Sequence, residues 1–154
     1  MWQRKQTIFL AIAAASLILM IFFPVWQGKT ESSTVTLYPL YLKSMQGEVR
    51  TDVYFPYSII AILAIAAATL SIFEIGKFEN RLLQIKIGAV NSLFMAGAMG
   101  SAAYLAIQVI KTNQVAGSYG FALYLPAVAM VSNAIANRFI RKDEKLVRDS
   151  ERLR

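Results

Sequence analysis

Four long runs of apolar residues dominate the chain's pattern: Thr7 to Trp26, Pro56 to Ile75, Ile87 to Ile110 and Tyr119 to Phe139. A helix rises about 1.5 Å per residue, so even the shorter runs reach across the roughly 30 Å of a bilayer's hydrocarbon core. None of the four carries the polar face that a soluble helix needs. The pattern therefore predicts four transmembrane helices. The stretch between the first two, Gln27 to Phe55, reads differently. Ser33 to Tyr38 and Glu48 to Phe55 are rich in β-branched and aromatic residues and partly alternate, with Met45-Gln46-Gly47 as a turn between them. They predict a short hairpin over one end of the bundle, with Pro39 making the first strand an edge or ending it. After the fourth run, Ile140 to Arg154 contains no Gly or Pro, so the last helix is expected to continue as an extension. Its Glu144/Arg148 and Lys145/Asp149 pairs fall at i, i+4. The expected fold class is an all-α membrane protein: a four-transmembrane-helix bundle forming one domain over residues 1–154, with a short β-hairpin-like periplasmic loop and a cytoplasmic C-terminal helical extension.

Composition agrees, with 56% of residues hydrophobic and 16% charged, the charges lying almost entirely outside the runs. The first run follows Arg4 and Lys5 in the manner of a secretory signal, but it ends in Pro24-Val25-Trp26 with no small-residue cleavage pattern, so we read it as a retained helix. Charge then sets orientation. Twelve of the sixteen Lys and Arg residues fall at the N-terminus, in the linker between the second and third runs, and in the tail; Lys29, Lys43, Arg50 and Lys111 fall on the other side. The excess of basic residues on cytoplasmic loops predicts that both termini are cytoplasmic. Trp2 and Trp26 bracket the first run, and Tyr54, Tyr57, Tyr119 and Tyr124 sit near the outer ends of later ones, where amphipathic rings favour the headgroup region.

Packing signals come next. In the third run Gly88, Ser92, Ala96 and Gly100 recur every four residues and predict a face of small side chains that lets a neighbouring backbone approach closely. Ala61, Ala64, Ala68 and Ser71 in the second run, and Ala122, Pro126, Ala129 and Asn133 in the fourth, do likewise. Asn91 shares the third run's small face, and Asn133 and Asn137 lie one turn apart in the fourth. Interhelical hydrogen bonds account for these amides, and a polar substrate path is the alternative. The middles of all four runs lack Asp, Glu, Lys, Arg and His, which disfavours ion-coupled transport. Glu74 comes nearest, with Lys77 at i+3 and Arg81 at i+7, and is expected to form a local ion pair at the interface, a buried functional carboxylate being the alternative reading.

The absences exclude chemistry. Without His or Cys there is no thiolate or imidazole metal ligand, disulfide, histidine-dependent triad or axial haem histidine. The nine acids are spread over the loop, linker and tail, and no glycine-rich phosphate loop follows a strand. No enzymatic activity, metal or cofactor is expected. The net charge of +7 follows from the topological bias and does not argue for nucleic acid. Partners are expected instead to be membrane lipids and other membrane protein subunits. In the tail, Arg141, Lys142, Lys145, Arg148 and Arg152 are the candidate cytoplasmic interaction residues, as a solvated helix, as an anionic-headgroup surface or as a docking helix.

The opening Trp2-Gln3-Arg4-Lys5-Gln6-Thr7-Ile8, the linker Arg81-Leu82-Leu83-Gln84-Ile85-Lys86 and above all the ending Lys142-Asp143-Glu144-Lys145-Leu146-Val147-Arg148 through Arg152-Leu153-Arg154 resemble domain-of-unknown-function family 4293, small four-helix membrane proteins of Bacteroidota. The resemblance implies a multi-pass protein of a Gram-negative inner membrane and carries no activity or site residues. Two functions are expected on these grounds. One is a non-enzymatic accessory or scaffold subunit of an inner-membrane complex. The other is a small transporter, channel-like or lipid-handling protein built around Asn91, Asn133, Asn137 and Glu74.

Overall fold

The computed structural model describes residues 5–30 and 33–152, with side chains as far as Asp149. Trp2 and Arg4, singled out above, lie outside the described residues. Along the chain run α1 (Lys5–Phe22), β1 (Trp26–Lys29), β2 (Ser33–Leu37), β3 (Leu42–Gln46), β4 (Val49–Val53), α2 (Ile59–Gly76), α3 (Arg81–Asn113), β5 (Gly117–Tyr119), a single 3₁₀ turn (Phe121–Leu123) and α4 (Leu125–Arg152). Four helical segments are long and apolar enough to cross a membrane: α1, α2, α3, and the stretch Phe121–Asp149 that includes most of α4.

Each helix packs against two others, α1 on α2 and α4, and α3 on α2 and α4. Their buried positions follow one rule. Gln6, Leu10, Ala13, Leu17 and Met20 in α1 alternate steps of four and three, as do Ile60, Ala64, Ala67, Ser71 and Glu74 in α2. In α3 the seam is Gln84, Gly88, Asn91, Met95, Ala98, Ala102, Leu105 and Val109, and in α4 it continues from Pro126 through Ala129, Asn133, Ala136 and Ile140. This is the seven-residue repeat of helices that stay in contact along their length. Inside the bundle the residues are mostly small, while large apolar side chains such as Ile62, Ile65, Leu93 and Val131 are exposed. Small side chains within and large ones outside suit a bundle whose surroundings are lipid, where close backbone approach drives association.

The purely all-α expectation is overturned by a five-stranded antiparallel sheet of order β4-β3-β2-β1-β5 at one end of the bundle. Ser33 to Leu37 and Val49 to Val53 do not pair with each other; both flank β3, which sequence pattern alone did not mark. The turn between β3 and β4 is Gly47-Glu48, with Gly47 at φ +59°, a left-handed conformation that a residue without Cβ adopts freely. Two further strands come from the ends of apolar runs. Trp26 pairs with both Leu37 and Tyr119, so β1 and β5 join the first connection to the last. Three or four residues such as Gly117-Ser118-Tyr119 carry no readable alternation, and only the non-local pairing makes them strands.

Register gives the sheet two unlike faces, as expected for an antiparallel sheet covered on one side. Trp26, Gly28, Val35, Leu37, Leu42, Ser44, Thr51 and Val53 share one face; Gln27, Thr34, Thr36, Lys43, Arg50, Asp52 and Ser118 share the other. The apolar face closes the bundle, with Trp26, Val35 and Leu37 entering a core of Met20, Ile60, Ala64, Ala102, Leu105, Ala106 and Val109. Trp26 is only 1% exposed, so its indole is a core residue and not the interfacial ring its position suggested. Tyr54, Phe55, Tyr119, Phe121 and Tyr124 remain exposed around this end. Backbone bonds sew the layers together: Val25 N–H donates to Leu37 O, Gly120 N–H to Val25 O, and Ala61 N–H to Pro39 O, the last satisfying a first-turn donor of α2.

A methyl group at Gly117 would meet the Gln27 carbonyl and the Trp26 ring, whereas one at Gly100 meets nothing within 4 Å. Gly117→Ala should therefore cost about 1–3 kcal/mol of stability, and Gly100→Ala should be neutral or stabilising by up to about 1 kcal/mol. Thermal unfolding of the two variants in detergent checks this contrast.

Candidate functional site

The bundle's buried polar groups gather at the end opposite the sheet. Ala13, Ala67, Met95 and Ala129 share one apolar cluster that marks a common level across the four helices. One heptad further from the sheet, α1 places Gln6, α2 Glu74, α3 Gly88 and α4 Ala136. Around this level Gln6, Ser71, Glu74, Gln84, Asn91, Ser132 and Asn133 are all buried.

Short hydrogen bonds hold the level together. Asn91 Nδ2 donates to Ser71 Oγ at 2.8 Å and Gln84 Nε2 to the Glu74 backbone carbonyl at 2.8 Å, which ties α3 to α2. Asn133 Nδ2 donates to Gly88 O at 2.9 Å and to Ser92 Oγ at 3.0 Å, which ties α4 to α3. A Cβ at Gly88 would collide with the Asn137 amide, so the glycine makes room for that side chain. Gly88, Asn91, Ser92, Asn133 and Asn137 are thus brought together. Ala96 and Gly100 are not: both lie on the exposed side of α3. The physical reason is that a four-residue step overshoots a helical turn by about 40°, so a stripe spaced by fours drifts off a seam that alternates threes and fours.

Glu74 departs from the expected ion pair. It is 0% exposed, and neither carboxylate oxygen has a hydrogen-bond partner among the described residues. The Lys77 ammonium lies 5.2 Å from the Phe73 ring centroid, and Arg81 Nη1 reaches the Asp143 carbonyl at 3.5 Å. The residues that sequence reading missed are Gln6 and Gln84, each at a run's end where a polar residue looks interfacial; their seven-residue spacing from buried alanine and asparagine positions was the available signal. Among the described residues no three His, Cys, Asp or Glu side chains cluster to hold a metal.

Two other surfaces carry polar chemistry. Arg141, Lys142, Lys145 and Arg148 are exposed along α4; Arg152 ends that helix, and its side chain lies outside the described residues. Neither i, i+4 pair of the tail closes to an ion pair, the one present among the described residues being Arg50–Asp52 at 2.6 Å. Asn137, Arg138 and Arg141 line a groove of about 430 Å³ between α3 and α4, floored by Ala89, Ser92 and Ala134. At the sheet end β4 forms an open edge. Val49, Thr51 and Val53 lie on the sheet's apolar face yet stay exposed, Val49 at 67%, because the β3–β4 hairpin overhangs the bundle.

The α3–α4 approach is testable by a double-mutant cycle. Gly88→Ala should destabilise through its collision with Asn137, and adding Asn137→Ala should recover part of the loss, a non-additivity of about 0.5–3 kcal/mol in unfolding free energy. Additive effects would show that the two residues do not touch.

No curated protein matches the chain significantly. A family model matches residues 2–153, essentially its whole length, with Arg81 to Lys86 and the α4 extension inside the match. The chain belongs to the family described as a domain of unknown function, DUF4293.

Proposed function

We propose that this protein is a non-enzymatic accessory or scaffold subunit of a bacterial inner-membrane complex, with both termini cytoplasmic and the five-stranded sheet on the periplasmic side. The overhanging β3–β4 hairpin is the observation that carries this reading. It offers an unpaired edge and an uncovered apolar strip, Val49 and Val53, next to exposed Tyr54 and Phe55. Exposed strand edges accept a partner strand through main-chain hydrogen bonds, with side chains on alternate faces supplying selectivity. The Arg50–Asp52 pair on the polar face keeps indiscriminate pairing in check, since charges on an edge strand oppose unselective association. At the other end, Arg138 and Arg141 stand where cytoplasmic guanidinium groups meet anionic headgroups.

The transporter reading has weaker support. Outward from the Ala13–Ala67–Met95–Ala129 level, the buried polar side chains among the described residues are Ser16, whose hydroxyl donates to the Ile12 carbonyl, and Thr36 of the sheet. A through-path for a polar substrate needs more than these.

Photocrosslinkers at Val49 or Thr51, followed by purification from native membranes in mild detergent and mass spectrometry, should capture one membrane protein partner reproducibly. Val49→Lys with Val53→Lys should abolish the capture while the chain still folds. Recovery of the chain alone at every expression level would sink the proposal. Orientation is checked separately, since the chain has no cysteine. Gln46→Cys and Ala116→Cys should react with an impermeant maleimide from the periplasmic side, and Asn80→Cys and Lys145→Cys should not.

A further inference from the structure

We propose that Glu74, with the side-chain oxygens of Gln6, Gln84 and Asn91, forms a buried binding site for one monovalent cation, a proton or Na⁺, reached from the end of the bundle opposite the sheet. The inference goes beyond the scaffold reading and does not depend on it.

Five acceptor oxygens carry the argument: both carboxylate oxygens of Glu74, Oε1 of Gln6, Oε1 of Gln84 and Oδ1 of Asn91, all buried and all without a hydrogen-bond partner among the described residues. One N–H of each amide is already committed, that of Gln84 to the Glu74 backbone carbonyl and that of Asn91 to Ser71 Oγ. Buried acceptors need a donor or a cation, and a carboxylate withdrawn from water needs its charge balanced. These residues come from three different helices, and the heptad register sets Gln6 and Glu74 at one level, with Gln84 bonded to the Glu74 backbone.

No protein cation supplies that charge among the described residues. On α1 the nearest is Lys5, which is exposed; on α3, Lys86 is exposed and Arg81 donates to Asp143 O; on α2 itself, Lys77 lies over Phe73. One carboxylate with neutral amide oxygens balances a single positive charge. Hard divalent ions favour several carboxylates and waters, and among the described residues no group of three acids gathers to hold one. The apolar layer of Ala13, Ala67, Met95 and Ala129 closes the site toward the sheet, so the cation exchanges with one side only. The arrangement is a binding site and not a passage. Its charge state sets how α1, α2 and α3 meet at their inner ends.

The test uses the full chain in lipid nanodiscs and dicyclohexylcarbodiimide, an apolar reagent that modifies protonated carboxyl groups, with modification mapped by mass spectrometry and exposed Glu79 as the internal reference. If the occupant is a proton, labelling of Glu74 exceeds that of Glu79 and falls about tenfold per pH unit above its midpoint, unaffected by exchanging choline for sodium. If the occupant is Na⁺, sodium protects Glu74 at constant pH and ionic strength, and the melting midpoint rises with sodium in the wild type but not in Glu74→Gln. Glu74 labelling that matches Glu79 under all conditions, or that responds to neither pH nor sodium, overturns the proposal. Because the labelling is read on the wild-type chain, a poorly folding Glu74→Gln leaves it decisive.

Discussion

Close approach of four helix backbones along seams of small residues is the constraint on which the rest of this molecule depends. In lipid, apolar side chains gain nothing by leaving their surroundings, so packing rests on van der Waals contact and on hydrogen bonds between helices. Ala13, Ala64, Ala67, Gly88, Ala98, Ala102, Ala129 and Ala136 provide the contact, and their spacing of threes and fours keeps it in register along each helix. Asn91 and Asn133 then bond across the seams, because the backbones are near enough for short amide side chains to reach.

The two ends of the bundle resolve the same problem in opposite ways. At one end the sheet buries Trp26, Val35 and Leu37 over the helix termini, and its polar face turns away from them. Joining β1 to β5 links the connection after α1 to the one before α4, so the ends of the bundle's first and last helices share one hydrogen-bonded layer. At the other end no such lid exists among the described residues. The seam instead becomes polar, through Gln6, Ser71, Glu74, Gln84 and Asn91, and five of its oxygens lack a hydrogen-bond partner among the described residues. The molecule is thus apolar and closed where the sheet lies, and acceptor-rich where the basic residues gather.

That asymmetry bears on the scaffold reading proposed above. On that reading the surfaces for partners are the β4 edge and the basic side of α4, while Glu74 is an acid buried inside the bundle, where the proposed cation would bear on helix packing.

Much of this was legible in the sequence, for reasons that are local. Length and hydropathy of the four apolar runs depend on composition alone, and so do the alanine seam of α2 and the absence of Gly and Pro that lets α4 continue to Arg152. The β-branched segments at Ser33 and Val49 also declared themselves as strands. What tertiary structure decided was pairing and depth. Trp26 and Tyr119 read as the ends of apolar runs, yet each is a strand residue because its backbone meets a partner far along the chain. Gly100 and Ala96 continue a small-residue stripe but leave the interface, since the helix neighbours follow the seven-residue repeat and the stripe does not. Glu74 had Lys77 and Arg81 within helical reach, yet those cations found Phe73 and Asp143, and the carboxylate turned into the bundle. Periodicity tells which side chains share a face, whereas burial and partnership depend on what the other helices bring to that face, and that is set only when the chain has folded.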